Sequence, residues 1–230
     1  MEEKSLSVAF GDSLKEESIS CISDLAEVGL DAIMEDGILK DIPIVSTAIA
    51  LYKIGSSIKE RHNLKKLLMF INEINKGVAD EGKRKEYQQK FQSNEKFRNQ
   101  EIEYLLVLID RYTSYDKPQM LAKLYLAYLE GIVIWEELTM YAEVVDRFLL
   151  LDCSTLISGE GTTTVHRNIG GESVLRLEAL GLMTETNENS IFEQTSNRFG
   201  ISVASMQRFS SNDKTYRRTE FGDKLAEILK

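Results

Sequence analysis

A cationic segment in the first third of the chain is one place where the sequence could contact an anionic ligand. An uncharged stretch over residues 42–52 precedes this segment, and the only acid between its cations is Glu60. The cations of this first cationic segment are Lys53, Lys59, Arg61, Lys65 and Lys66. An apolar stretch followed by cations is typical of segments that insert into a bilayer while the cations meet anionic head groups. The alternative, which we favour, is a central helix that its neighbours bury on all sides.

A second cationic segment, residues 198–218, carries a charge opposite to that of the whole chain. Its cations are Arg198, Arg208, Lys214, Arg217 and Arg218. Asp213 is its single acid, and Phe199, Phe209 and Tyr216 alternate with the cations. Aromatic rings that stack on bases, together with cations that neutralise phosphates, are what the binding of single-stranded nucleic acid requires. A charged strand at a sheet edge, which resists aggregation, is the alternative.

The motifs of common catalytic centres are incomplete in this chain. Residues 159–164 begin like a dinucleotide-binding loop, but Thr164 stands where a third glycine must allow close packing. His62 and His166 are the only histidines, and neither has a second ligand at the spacing of a helical metal site. We therefore expect no enzyme activity, no metal ion and no cofactor, and a protein that acts through its surfaces.

Glutamates and aromatic residues on the predicted helices fit structural roles. Glu101 and Glu103, like Glu136 and Glu137, lie between apolar positions and are expected on solvated helix faces. Trp135 and three tyrosines recur on apolar stripes, which indicates core packing rather than an aromatic cage for a ligand. These tyrosines are Tyr125, Tyr128 and Tyr141.

The elements that must position these residues are predicted to be mostly helical. The chain has 230 residues, of which 43% are apolar and 28% charged, with 2 prolines and 14 glycines. This composition excludes disordered, collagen-like and loop-rich all-β proteins, and the length is sufficient for a buried core. The formal net charge of −9 means that the surface as a whole repels nucleic acid, so any such contact must be local.

The N-terminus and the cysteines are typical of a cytoplasmic protein. Residues 1–4 are acidic where a secretory signal would be basic and then apolar. Cys21 and Cys153 belong to no paired motif, as is usual for reduced cytosolic thiols. No uncharged apolar window is long enough to span a membrane. We expect a cytoplasmic protein whose only membrane contact would be peripheral, at the inner face.

Helical periodicity predicts an all-α bundle over residues 1–152. Ser13 opens a capping box with Glu16 and is expected to begin the first long helix, which Gly37 ends. A second helix is expected from about residue 41 to residue 58, and a third carries a stripe of aliphatic side chains. The stripe consists of Leu64, Leu67, Leu68, Ile71 and Ile74. Later helices with inward-facing leucines and aromatic residues complete the bundle, and Gly131 is expected to end one of them.

Composition changes at Cys153, where the chain becomes rich in Gly, Ser and Thr. We expect a linker over residues 153–171 and then a small α+β module over residues 172–230. The module begins with a helix that Gly181 ends and finishes with a helix that Thr219 caps. Short strands are expected between them, at residues 182–185, 191–195, 201–206 and 215–218.

The C-terminal module resembles the closing half of a winged-helix domain. The residues that carry this resemblance are LEALGLM at 177–183 and, after a strand-rich stretch, YRRTEFG at 216–222. The resemblance implies that the helix before the first wing strand enters the major groove of DNA. This chain departs from the pattern because residues 158–171 replace the helix-turn-helix, and the helix carries Glu172 and Glu178 beside Arg176. A protein-contact or sensor role is at least as well supported as groove reading.

The overall plan, a helical body with an apolar segment and a degenerate winged-helix module, resembles the abortive-infection alpha type of bacterial protein. The strings DIPIV at 41–45 and LKKLL at 64–68 carry this resemblance. It implies a phage-defence effector that harms the host membrane or arrests growth, rather than an enzyme.

These observations predict a non-enzymatic effector or interaction protein that self-associates or binds a protein partner. A membrane surface is a second predicted partner, through the first cationic segment. Nucleic acid or another anionic ligand is a third, through the second cationic segment. The alternative function is a DNA-binding transcriptional regulator that uses its winged-helix module.

Overall fold

The chain is mainly helical and carries one small antiparallel sheet near its C-terminus, which confirms the predicted fold class. The computed structural model describes residues 6–13, 45–47, 57–76, 93, 95–158, 162–165, 171–186 and 214–230. Within the chain, contacts define two compact units, Met1–Asp146 and Arg147–Lys230. We call them the N-terminal unit and the C-terminal unit. The predicted boundary, after residue 152, lies slightly later than this division.

The N-terminal unit is a helical bundle. Its helices are α1 (Leu6–Ser13), α2 (Ile58–Lys76), α3 (Glu95–Arg111), α4 (Asp116–Leu129) and α5 (Trp135–Arg147). Helix α2 packs against both α3 and α4, while α1 packs against α3. Gly131 has a φ of 73° just beyond α4, a conformation that glycine adopts without strain, and it ends this helix as the sequence predicts.

The core of the N-terminal unit follows the predicted apolar stripe of α2. All five of its aliphatic side chains are buried, as are those of Leu121 and Leu124 on α4. The Phe70 ring connects three helices, because its centroid lies 5.7 Å from that of Phe10 on α1 and 6.1 Å from that of Tyr125 on α4. Large aromatic side chains of this kind contribute much of the apolar area that a core removes from water.

The beginning of the chain differs from its predicted form. Ser13 lies at the end of α1 rather than at the start of a helix, and its hydroxyl donates to the Ala9 carbonyl at 2.9 Å. Serine competes for a neighbouring carbonyl in this way when it sits within a helix instead of capping one. The long helix predicted after Ser13 lies outside the described residues. Of the second predicted helix, residues 45–47 are helical, whereas Ile58 begins α2.

The C-terminal unit combines short helices with a three-stranded sheet. Its elements are a 3-10 helix (Leu150–Asp152), α6 (Cys153–Ser158), β1 (Thr162–Val165), α7 (Gly171–Ala179), β2 (Met183–Thr186), β3 (Lys214–Arg218) and α8 (Glu220–Leu229). The strands are antiparallel in the order β1-β3-β2, so β3 is central. The predicted strands at residues 191–195 and 201–206 lie outside the described residues.

The predicted linker over residues 153–171 contains regular structure. Residues 153–158 form α6 and residues 162–165 form β1, which pairs with β3. Threonine is favoured in strands because its branched side chain fits a pleated surface. The linker prediction was therefore wrong at these positions, because a run of small polar residues was interpreted without the partner strand that orders it.

The C-terminal end of α7 lies in close contact with the N-terminal end of α8. Gly181 has a φ of 75°, and the Leu182 amide donates to the Leu177 carbonyl at 2.9 Å, which closes α7. Thr219 caps α8 as predicted, since its hydroxyl accepts from the Gly222 amide at 3.0 Å. Gly222 lies so close to Leu182 that an added Cβ would fall 2.0 Å from the Leu182 carbonyl oxygen.

We predict that Gly222→Ala destabilises the protein by about 1–3 kcal/mol or more, because the new methyl group must push β2 and α8 apart. Urea denaturation followed by circular dichroism measures this loss of free energy. Glu227→Ala, on an exposed position of the same helix, is the control and is expected to change stability by no more than about 0.5 kcal/mol. Equal stability of the two variants would contradict the close approach.

Candidate functional site

Lys66 belongs to the interior of the N-terminal unit rather than to a membrane-facing surface. Its side chain is 1% exposed, and its ammonium group donates to the carbonyls of Asp110 at 2.8 Å and Tyr112 at 2.7 Å. These carbonyls lie at and just beyond the C-terminal end of α3, where backbone acceptors lack helical partners and the helix dipole is negative. Burial lowers the pKa of Lys66, while the nearby charge of Asp110 opposes this shift.

Lys65 and His62 contact the same connection between α3 and α4. Lys65 is buried, and its ammonium nitrogen lies 4.8 Å from the centroid of the Tyr115 ring. Nδ1 of His62 lies 2.8 Å from the Tyr115 hydroxyl. Burial, followed by the charge of Lys66, lowers the pKa of His62. One turn of α2 therefore holds this connection through cations, a ring contact and a hydrogen bond.

Two cations of the first cationic segment are thus unavailable to a membrane in this structure. Lys65 and Lys66 were predicted to contact head groups, and their burial contradicts that role. Lys59 is exposed and Arg61 is partly buried, whereas Lys53 lies outside the described residues. The physical reason is that a long lysine stem can follow apolar surface and deliver its charge to carbonyls inside the fold.

The apolar stretch that precedes these cations is described only in part. Val45 is buried, Ser46 is exposed and Thr47 is partly buried, and the rest of the stretch lies outside the described residues. Among the residues that the structure describes, no helix is both long and apolar enough to span a bilayer.

Two further helices have their C-terminal carbonyls covered by a cation from another element. Lys117 on α4 donates to the Asp146 carbonyl at 2.6 Å, near the end of α5. Arg218 on β3 donates to the Leu156 carbonyl at 2.8 Å, near the end of α6, and it also pairs with Asp223 at 2.6 Å. Arg218 was predicted to meet an anionic ligand, and these contacts assign it to the fold instead.

The remaining cations of the second cationic segment are placed differently. Lys214 pairs with Glu185 at 2.6 Å, and Arg217 is exposed on β3. Tyr216 is 1% exposed, so the ring expected to stack on bases is buried. Arg198 and Arg208 lie outside the described residues, as do both phenylalanines of the segment.

Glu101 is buried, contrary to its predicted place on a solvated face. It is 2% exposed, and its carboxylate accepts from the hydroxyls of Tyr125 at 3.3 Å and Tyr128 at 2.8 Å. Burial and this hydrogen bond raise the pKa of Tyr128. Trp135 and Tyr104 complete the aromatic cluster, with ring centroids 5.5 Å apart. The rings pack on each other, as the sequence predicts, and the paired tyrosine hydroxyls compensate the buried carboxylate.

A third group of residues, in the C-terminal unit, was not singled out as a site by its sequence. Arg176 on α7 binds the carboxylate of Asp152 on the 3-10 helix through two hydrogen bonds of 2.8 and 2.7 Å. The side chain of Asp152 is almost fully buried, and the hydrogen bond to Arg176 lowers its pKa. Next to this ion pair in the chain, Leu151 is 64% exposed and Leu175 is 53% exposed. Leu149 is also exposed.

We call Leu149, Leu151 and Leu175 the leucine surface. The 3-10 helix and α7 are in contact, and the Asp152–Arg176 pair joins them, so the segments that carry these exposed leucines lie next to each other in the C-terminal unit. The signal that could have found this surface is a run of leucines at 149–151 where the amphipathic pattern of α5 ends. Metal chemistry has no comparable support in the described ranges, where no three His, Cys, Asp or Glu side chains cluster as metal ligands would.

We predict that Lys66→Met destabilises the protein by about 1–3 kcal/mol, because the carbonyls of Asp110 and Tyr112 lose a charged donor and that of Tyr112 is buried. Lys59→Met removes the same charge from an exposed position and is expected to change stability by no more than about 0.5 kcal/mol. Chemical denaturation measures both. If the two variants are equally stable, Lys66 does not hold α3.

We predict that His62 makes stability fall as the pH drops below its ordinary pKa of 6.5. The folded state lowers this pKa, so the unfolded chain binds the proton more readily, and the contribution is complete above pH 6.5. Stability therefore slopes upward with pH in this range, and a single group can contribute at most about 1.4 kcal/mol per pH unit to such a slope. His62→Gln removes this slope in denaturation series between about pH 5.5 and 7, whereas His166→Gln retains it. A slope that persists in His62→Gln would rule out the assignment.

Comparison with known proteins does not add to this picture. No family model matches the chain, and no curated protein or solved structure was found to match it. The resemblances to winged-helix domains and to abortive-infection proteins therefore stay predictions from the sequence.

Proposed function

We propose that this chain is a non-enzymatic interaction protein that self-associates through the leucine surface of its C-terminal unit. The observation that carries this proposal is the exposure of Leu151 and Leu175 on two elements that a partly buried ion pair holds together. Single exposed leucines are ordinary, but exposed leucines on two elements that contact each other can form the apolar centre of a protein interface.

The exposed side of α7 supports a protein partner. Glu172, Leu175 and Ala179 are all exposed and follow one another at the spacing of a single helical face. This face offers an apolar centre with a carboxylate beside it. Arg176, the one cation of the helix, is already paired with Asp152. A partner that docks here gains from apolar burial, and a polyanion would meet Glu172.

Self-association fits an apolar surface because such a surface is complementary to itself. In a two-fold dimer the same patch of each copy lies against the other, and dimers of this symmetry are the commonest assemblies. Glu172 lies toward the rim of such a contact, where it remains solvated. The Asp152–Arg176 pair already joins the two elements, so the backbone of this surface need not be ordered when two copies meet.

The alternative, a DNA-binding regulator, has less support from the described residues. The helix that would enter the major groove exposes Glu172 and Leu175, and the guanidinium of Arg218 is occupied by carbonyls of α6 and by Asp223. An effector that contacts a membrane through the first cationic segment also has less support, because Lys65 and Lys66 are buried and cannot reach lipid head groups. We therefore favour a protein partner over both.

We predict that wild-type protein is a dimer at micromolar concentration and that Leu151→Glu and Leu175→Glu each weaken the dimer at least about tenfold, or 1.4 kcal/mol. The introduced carboxylates would have to be buried against apolar surface. Sedimentation equilibrium measures the association constant. Ile58→Glu is the matched control, since Ile58 is also exposed but belongs to the N-terminal unit. A monomeric wild type, or equal weakening by the control, would overturn the proposal.

The effector role implied by the abortive-infection resemblance is tested separately. Expressed in a bacterial host, the wild-type chain is expected to reduce phage plaque numbers, and the Leu151→Glu variant to lose this protection while it stays folded. If the wild-type chain dimerises but gives no protection, self-association stands and the defence role does not.

A further inference from the structure

The sheet of the C-terminal unit has two faces of very different chemistry. Directly opposed residues of antiparallel strands share a face, and successive residues of a strand alternate between faces. Arg217 is in register with Thr162 on β1 and with Thr184 on β2. The next positions on the same face are Thr164, Thr215 and Thr186. Apart from Arg217, every position that the described register places on this face is therefore a threonine, and we call it the threonine face.

The opposite face is occupied by the fold itself. Tyr216 and Met183 lie on it and are buried. Lys214 and Glu185 are also on that side and pair with each other. Arg218 reaches from it to the end of α6. The charged side chains of the opposite face thus have partners, and none of them is available to Arg217.

Arg217 stands out on the threonine face. Its side chain is exposed, and no hydrogen bond or ion pair joins it to any residue within the described parts of the chain. The threonine face is exposed to solvent at Arg217, whereas Thr215 on the same face is buried. Thr184, beside Arg217, is partly buried. Thr186 uses its hydroxyl within the sheet, since it donates to the Thr215 carbonyl at 3.0 Å.

Protection of a sheet edge does not account for this arginine. Charges that prevent edge-to-edge aggregation belong on the outer strands of a sheet, where backbone groups are unpaired. Arg217 lies on the central strand, with a hydrogen-bonded neighbour on each side. A cation at this position faces outward from the middle of the sheet, where it is positioned to meet a ligand rather than another strand.

We propose that the threonine face binds the phosphoryl group of a small molecule, with Arg217 as the charged donor and Thr184 as a hydroxyl donor. A guanidinium presents paired N–H donors that match two phosphoryl oxygens, and hydroxyl donors satisfy a third. Strands lie about 4.8 Å apart, so Thr184 on the neighbouring strand is close enough to Arg217 for both to meet one phosphoryl group.

A single phosphoryl group fits this face better than a nucleic-acid strand does. Base stacking requires an exposed aromatic ring, but Tyr216, the aromatic residue of the second cationic segment within the described ranges, is buried on the opposite face. The net charge of −9 repels a polyanion such as a nucleic-acid strand. A single phosphoryl group is affected mainly by the nearby positive charge of Arg217. This inference is independent of self-association, because the leucine surface is formed by the 3-10 helix and α7.

The test is a titration of the full-length ¹⁵N-labelled protein with inorganic phosphate at constant ionic strength. The amide signals of Thr184, Thr215 and Arg217 are expected to shift and saturate, with a dissociation constant on the order of 1 mM. Arg217→Gln is expected to raise this constant at least about tenfold, and Arg217→Lys to give an intermediate value because it keeps the charge without the paired donors. Lys59→Gln, which removes an exposed cation from the N-terminal unit, is expected to leave it unchanged.

Unchanged amide signals of α8 in the Arg217→Gln variant show that the C-terminal unit is folded. A loss of phosphate binding in that variant is then due to the loss of the Arg217 side chain and not to unfolding. Shifts that never saturate in the wild type, or equal affinity of the wild type and Arg217→Gln, would overturn the proposal. A parallel titration uses a short oligothymidine. If the oligothymidine binds while phosphate does not, the face is a nucleic-acid site and the small-ligand proposal fails.

Discussion

The coverage of helix C-terminal carbonyls by cations from other elements is the interaction on which much of this fold depends. The last carbonyls of a helix have no partner within the helix, and burial without one is costly. Lys66, Lys117 and Arg218 supply that partner to α3, α5 and α6. Each cation also opposes the negative end of the helix dipole. Two of these contacts join one helix of the bundle to another, and the third joins strand β3 to α6.

This use of cations changes what a charged sequence means. Lysines and arginines grouped along a chain suggest an anionic partner, yet Lys66 and Arg218 find their negative partners inside the protein. Helical periodicity shows which backbone positions face the core, but a lysine has four methylene groups between its backbone and its charge. Such a side chain can start beside an apolar stripe and end at a distant carbonyl. No local pattern reveals that destination, because Asp110 and Tyr112 are remote from Lys66 in sequence.

Features that depend on neighbouring residues could be predicted from the sequence. The aliphatic stripe of α2, the glycines that end α4 and α7, and the threonine that caps α8 are all local signals, and the structure agrees with them. Features that depend on distant residues could not. Glu101 is buried because Tyr125 and Tyr128 come from another helix, and the order of β1 depends on β3. The leucine surface likewise requires an ion pair between two elements before its residues can be recognised as one surface.

The contacts of Lys66 and Lys117 also affect how the bundle moves. Helix ends usually fray, opening and closing in solution while the rest of the molecule stays folded. The ends of α3 and α5 are instead closed by side chains that originate on α2 and α4. Fraying of the last turn of either helix therefore also breaks its hydrogen bond to a lysine of a second helix. Backbone amides in these last turns should therefore exchange their hydrogens with solvent as slowly as those of the bundle interior.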